Sequence, residues 1–266
     1  MPDLITSNIT FHYETANDGA VAGSPILFIA GLASDSASWT PIVSHLANHR
    51  LILTDNRGCG RTDCKDKTIE IDDIVADHAA LIDHLDCGPV FVVGHSMGGQ
   101  IAMQLAAQHK SKVKKLALAA TSPVTSPHAR SVISTLKNLR TPSVNEADWH
   151  RAFFHWIFHP SFFTKEVVVE AAIAMALAYE FKQSPENFKG QVEALERSDP
   201  ARHVSDIEAP TLILAAGEDL LFPARDMETD FSILNDPHFE IVENAGHSLF
   251  WDQPAAAATK IRQFLT

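Results

Sequence analysis

The sequence predicts an α/β fold: a mostly parallel sheet flanked by helices, with a helical cap inserted late in the chain. Three observations carry this. Short runs rich in Val, Ile and Leu alternate with longer amphipathic stretches, as expected of strands joined by helices that cover both sheet faces. The alternation stops between about Ser122 and Asp206, where helical patterns run on without a convincing strand. A glycine-flanked serine also stands directly between one apolar run and an amphipathic stretch. The 266 residues are enough for one large core with an insertion. The expected division is a core of residues 1–121 and 207–266 with a cap over 122–206.

An N-terminal strand or hairpin is expected from Leu4 to Thr15, then strands over Pro25–Ala30 and Arg50–Thr54. Next, Ile71, Ile74, Val75, His78, Leu81, Ile82 and Leu85 recur at helical spacing, with Asp72, Asp73, Asp77 and Asp83 off the stripe, so a helix follows. Strands are expected at Pro89–Val93 and Val113–Ala120, separated by a helix carrying Ile101, Met103, Leu105 and Ala106. Pro123 and Pro127 open the insertion, and Pro210 marks the return to strand, since proline continues neither element well. Within it, Ser184-Pro185-Glu186 supplies the cap, first-position proline and early acid of a helix start. Thr211–Ala215 and His238–Glu243 are the last strands.

With 21 Lys+Arg against 33 Asp+Glu the net charge is -12, which repels phosphate backbones and anionic lipid. No nucleic-acid or membrane partner is expected. Cys59, Cys64 and Cys87 fit neither a disulfide framework nor a pair of zinc clips, and a reducing compartment is the simplest reading. The start, Met1-Pro2-Asp3-Leu4, has no basic and apolar leader pattern, and no later run reaches membrane-spanning length. A cytoplasmic protein is expected. Nothing in the sequence specifies an oligomeric state.

The strongest chemical signal is Gly94-His95-Ser96-Met97-Gly98-Gly99. A serine on so sharp a strand-to-helix turn sits in a strained backbone, so the positions two before and two after must be small. Gly94 and Gly98 meet that demand and lift the Ser96 hydroxyl clear of the sheet. The N–H of Met97 then stands at a helix N-terminus, where developing negative charge is favoured.

In this motif and its setting the sequence resembles the α/β-hydrolase superfamily over nearly its whole length. The resemblance implies an α/β-hydrolase fold and a triad in the order serine, acid, histidine. Asp219, in Gly217-Glu218-Asp219 after a strand, and His247, in Asn244-Ala245-Gly246-His247 after the last strand, stand where it places them. It also implies a second oxyanion donor after the first long strand, where Ala30-Gly31-Leu32 replaces the family's His-Gly-x. The N–H of Leu32 is that candidate. Asp55-Asn56-Arg57-Gly58-Cys59-Gly60-Arg61-Thr62 is similar to the family's Asp-x-Arg-Gly-x-Gly-x-Ser turn and is read as loop architecture.

The remaining candidates have plainer readings. Trp39, near the start of the first long helix, packs or faces the site mouth. With Phe153, Trp156 and Phe158 it is a candidate for the pocket wall. His95 has a packing or hydrogen-bonding role and points away from the nucleophile, and His78 is a satisfied core histidine. His155 and His159 are spaced like a zinc helix, but no glutamate follows the first and no third ligand is evident, so no metal is expected.

The expected function is a cofactor-free serine hydrolase that cleaves a small carboxylic ester, thioester or lactone with water, through an acyl-enzyme on Ser96. The glycine turn and moderate cap most resemble the branch of small esterases, 3-oxoadipate enol-lactonase and aminoacrylate hydrolase. The same triad supports C–C bond hydrolysis, acyl transfer and cofactor-free haloperoxidase activity. A ligand receptor on the same scaffold is the rival from outside enzymes. Charged cap residues among the aromatics suggest a small closed cavity and short acyl groups of about two to six carbons.

Overall fold

The computed structural model describes residues 3–6, 8–20, 23–64 and 68–266, with Cys64 described by its backbone alone. Met1 and Pro2, within the start read above as lacking a leader, lie outside the described residues. The chain runs through β1 (Asp3–Ile5), β2 (Ile9–Ala16), β3 (Ile26–Ile29), α1 (Thr40–Val43), β4 (Leu51–Thr54) and β5 (Asp63–Cys64). It continues through α2 (Ile71–His84), β6 (Val90–His95), α3 (Met97–Gln108) and β7 (Val113–Ala119). Five helices form the insertion: α4 (Pro127–Leu139), α5 (Glu146–Ile157), α6 (Glu166–Ala178), α7 (Pro185–Arg197) and α8 (Ala201–Val204). The core then resumes with β8 (Thr211–Ala216), α9 (Ala224–Asp230), β9 (His238–Val242), α10 (Leu249–Asp252) and α11 (Pro254–Leu265).

The strands order as β1-β2-β4-β3-β6-β7-β8-β9, with β5 pairing to β2 off that path. Pairs involving β1, β2 and β5 are antiparallel, and every pair from β4 to β9 is parallel. Both faces are covered, so the central strands read as unbroken apolar runs. In β3, Leu27 and Ile29 enter the core that holds Ile101 and Leu105 of α3, whereas Ile26 and Phe28 enter the opposite core with Ile42 and Ile261. That is the period-two alternation of a strand.

Two elements differ from the sequence reading. No long helix follows β3: a 3-10 turn over Ser36–Trp39 leads into the four residues of α1, and a second 3-10 turn ends at Leu46. Local polar groups divert the backbone there. The Asp35 carboxylate accepts from the Ala37 N–H, while the Ser38 and Thr40 hydroxyls donate to the carbonyls of Asp35 and Ala37. The two-residue β5 was not expected from its composition; it follows Thr62, whose hydroxyl accepts from the His12 N–H at 3.0 Å. In the cap, Ser126, Asn145 and Ser184 each cap a helix by accepting a backbone N–H. The Tyr179 hydroxyl fastens the cap to the core by donating to Asp35 at 2.9 Å. Burial and the neighbouring Asp55 push that carboxyl up to about 6.

Candidate active site

β6 ends in a turn that places Ser96 at φ 54° and ψ -120° as the N-cap of α3. This left-handed backbone is unfavourable for serine, and the surroundings fix it. The Ser96 N–H donates to the Ala119 carbonyl at 3.0 Å, and its own carbonyl accepts from the Gly99 N–H at 2.9 Å and the Thr121 hydroxyl at 2.8 Å. The flanking glycines are required by contact. A Cβ on Gly98 would lie 2.0 Å from the Ile29 carbonyl oxygen, and one on Gly94 would lie 2.4 Å from that of Gly98. Gly98→Ala should therefore lower the melting temperature by about 6–12 °C, since a strain of about 3 kcal/mol moves a domain of this size by that amount. A calorimetric scan beside the parent checks this.

Asp219 follows β8, and its side chain is fully buried. One carboxylate oxygen accepts from the N–H groups of Leu221 and Phe222 at 2.8 and 3.0 Å, and the other lies 2.8 Å from His247 Nδ1. A carboxylate there selects the tautomer with hydrogen on Nδ1 and leaves the lone pair on Nε2. Phe222 stacks on the imidazole at 5.7 Å. Asp226 and Asp230 do not reach it: Asp226 pairs with Arg225, and Asp230 accepts from the Ser122 hydroxyl.

The His247 backbone is held from two sides. Its carbonyl accepts from His95 Nε2 at 2.8 Å, and the next N–H, of Ser248, donates to the Ile157 carbonyl of the cap at 2.7 Å. Burial and the adjacent His247 push the His95 pKa down to about 3, so His95 is a neutral donor near pH 7. The His95 ring packs on Trp39 and Phe250 and makes no hydrogen bond to the Ser96 hydroxyl among the described residues, the packing and hydrogen-bonding role expected of it. No hydrogen bond among the described residues joins the Ser96 hydroxyl to His247 Nε2, though both line one cavity. Such bonds commonly tighten only once substrate is held.

The N–H groups of Leu32 and Met97 find no acceptor among the described residues, as oxyanion donors require. Leu32 follows Gly31, where an added Cβ would meet Ser96 Cβ at 3.1 Å. The next residue, Ala33, takes φ 60°, and its N–H donates to the side-chain oxygen of the fully buried Gln191 at 3.4 Å. Gln191 lies on α7 and also donates to the Arg57 carbonyl at 2.8 Å, so one cap side chain fastens two core loops. Gln191→Leu should lower stability by about 3 kcal/mol through buried groups left unpaired, a fall of about 6–12 °C in melting temperature. It should also lower kcat more than it raises KM, because the loop carrying Leu32 is loosened.

A cavity of about 640 Å³ lies between the carboxyl ends of the strands and the cap. Leu32, Ser96, Met97 and His247 form its floor, and α4, α5 and α7 its roof. Of the aromatic candidates, Phe153 lines it. Trp39 does not: it is 2% exposed and packs on Phe28 and Phe250 beneath the sheet ends, because the broken helix turns it inward. Trp156 and Phe158 are not among the lining residues either. Trp156 packs edge-on to His128, and Phe158 stacks on Phe162. Phe154, Phe158, Phe162 and Phe163 pack with Val169 and Ile173 in a cluster of their own. At about 640 Å³ the cavity is roomier than the small closed space expected from the charged residues among the cap aromatics.

Residues 26–260 match the alpha/beta hydrolase family. The chain belongs to this family. A relative from Mycobacterium tuberculosis, named "Putative non-heme bromoperoxidase BpoC", is 28% identical over 258 residues, 94% of this chain and 96% of that protein. Its crystal structure superposes with a TM-score of 0.83 at 26% identity, covering 96% of this chain and 95% of that one. A Variovorax paradoxus protein named "Putative carbamate hydrolase RutD" is 27% identical over 260 residues, 96% of this chain and 95% of its own length. The enol-lactonase of Burkholderia xenovorans LB400 is 21% identical with a TM-score of 0.86 over 99% of each chain, a likeness of fold.

Within this alpha/beta hydrolase the other singled-out residues have structural surroundings. In the glycine turn, Asp55 accepts from the N–H groups of Ser36 and Arg61, each at 2.8 Å, and Arg57 forks onto Asp77. Cys59 is buried against Gln183 and Gln191, and burial pushes its thiol far up. His78 is enclosed between Thr54 and the Ile74 carbonyl. His155 stacks on Phe163, and His159 reaches Glu218 at 2.9 Å. No helix among the described residues is long and apolar enough to cross a membrane.

Proposed function

We propose that this alpha/beta hydrolase is a serine hydrolase that cleaves a small carboxylic ester, thioester or lactone. One observation carries the reading: a buried carboxylate at 2.8 Å from Nδ1 of a histidine that shares a cavity with a strained, glycine-flanked serine. Serine is a weak nucleophile until a base takes its proton, and the Asp219 carboxylate leaves Nε2 of His247 free for that task. Ser96 Oγ attacks the substrate carbonyl carbon as its proton passes to Nε2. The resulting oxyanion accepts from the N–H groups of Leu32 and Met97. Collapse breaks the bond to the alcohol or thiol, which departs with the proton from His247. Water, deprotonated by the same nitrogen, then attacks the acyl-enzyme, releasing a carboxylic acid and restoring Ser96.

Every proton and electron pair in this cycle is held by the chain's own groups, so the reading requires no cofactor. The cap, taken as residues 122–206, screens the site. The branch of small esterases and lactonases fits the moderate cap, and the likeness to an enol-lactonase supports it at the level of the fold. The free thiols of Cys59 and Cys87 suit a reducing cytoplasm. The test is labelling with a fluorophosphonate and mapping of the modified residue, followed by rates on a panel of esters, thioesters, lactones and vinylogous diketones. Because of the likeness to a protein named a non-heme bromoperoxidase, the panel also includes peroxide with bromide. Labelling at Ser96 with ester or lactone turnover is the expected result; labelling elsewhere overturns it.

A further inference from the structure

We infer that the acyl arm of the substrate is a medium-length apolar chain lying beneath α4 and α7. This rests on the proposed acyl-enzyme at Ser96 and adds the substrate class. The direction follows from proton transfer, because His247 must reach the leaving oxygen. The leaving group therefore lies on the His247 side, between Phe222 and Ile157, where the cap is bonded to Ser248. The acyl arm lies on the other side, toward the loop carrying Leu32. α7 stands over that loop, as the contact from Gln191 to Ala33 shows. Its Leu195, together with Ile133 of α4, lines the cavity there, backed by the buried Val192 and Leu136, and none of these four side chains carries a polar atom.

The size follows from volume. A methylene fills about as much space as a water molecule, about 30 Å³, so the 640 Å³ cavity holds about twenty non-hydrogen atoms. With the ester group and a modest leaving group subtracted, an acyl arm of about eight to twelve carbons remains. Arg130, Glu196 and Asp199 also line the cavity and are exposed, so a chain too long for the cavity has a route into water.

The experiment measures kcat/KM for p-nitrophenyl esters from acetate to tetradecanoate in detergent-free buffer, below their aggregation limits. The expected result is a rise of up to about fourfold per methylene from butyrate to about decanoate, then a plateau. In Ile133→Trp and Leu195→Trp the decanoate-to-butyrate ratio should fall at least tenfold, and a thermal melt establishes that each variant is folded. A maximum at acetate or butyrate, or a ratio unmoved in both folded variants, overturns the inference. Binding of ethyl butyrate and ethyl decanoate to Ser96→Ala protein, followed by titration calorimetry, reads the arm without turnover. Tighter binding of the decanoate supports the arm, and equal binding overturns it. Loss of the acyl-enzyme reading would show separately, as labelling away from Ser96.

Discussion

Ser96→Ala protein should lose turnover by a factor on the order of 10⁵ to 10⁶ on every substrate of the panel while its melting temperature stays within a few degrees of the parent. The size of the effect is that of removing the proposed nucleophile, which would leave oxyanion donors and binding to act on water alone. The fold should survive because the turn is held by backbone contacts that alanine keeps. The Ser96 N–H donates to Ala119, and its carbonyl accepts from Gly99 and Thr121. The hydroxyl itself makes no hydrogen bond among the described residues, so its removal orphans nothing. Fluorophosphonate labelling followed by intact mass should show one adduct on the parent and none on the variant. Retained labelling, or activity above a hundredth of the parent's, would mean that another group is the nucleophile.

The core was legible in the sequence because burial on both faces writes itself as unbroken apolar runs. Pro25–Ala30 contains the fully buried β3, and Val113–Ala120 contains β7. The serine turn was legible for a steric reason: contacts of 2.0 and 2.4 Å permit only glycine on either side. What escaped notice depends on partners far away in the chain. The bond from His95 to the His247 carbonyl joins residues 152 apart, and that from Ala33 to Gln191 joins residues 158 apart. No local pattern marks either. Trp156 and Phe158 show a related limit. An apolar residue in the cap has three destinations, the cavity, the main core that Trp156 packs against, or the cluster around Val169 that holds Phe158, and helical spacing identifies a face without saying which neighbour receives it. The cavity is lined by segments far apart in the chain, from Gly31 to Ser248, another long-range property. The roles assigned to Ser96, Asp219 and His247 therefore rest on geometry and are decided by substitution.

Asp219→Asn should reduce kcat by a factor on the order of 10⁴ with KM changed far less. The substituted amide can keep its oxygen toward the N–H groups of Leu221 and Phe222, now 2.8 and 3.0 Å from the carboxylate, so the loop should hold its shape. The NH₂ of that amide would then face His247 Nδ1, which must accept instead of donate. The hydrogen moves to Nε2, and the imidazole loses the lone pair that, in the proposed mechanism, takes the Ser96 proton. The negative charge that stabilises the imidazolium is lost as well. Asp226→Asn is the matched control, because Asp226 is exposed and paired with Arg225 at 3.2 Å, an interaction of at most about 1 kcal/mol. Its kcat should stay within about twofold of the parent, which corresponds to less than about 0.5 kcal/mol. Steady-state kinetics on one ester, with a thermal melt of each variant, decides the matter. Equal losses at both positions, or a large loss at Asp226 alone, would show that the histidine takes its acid from elsewhere.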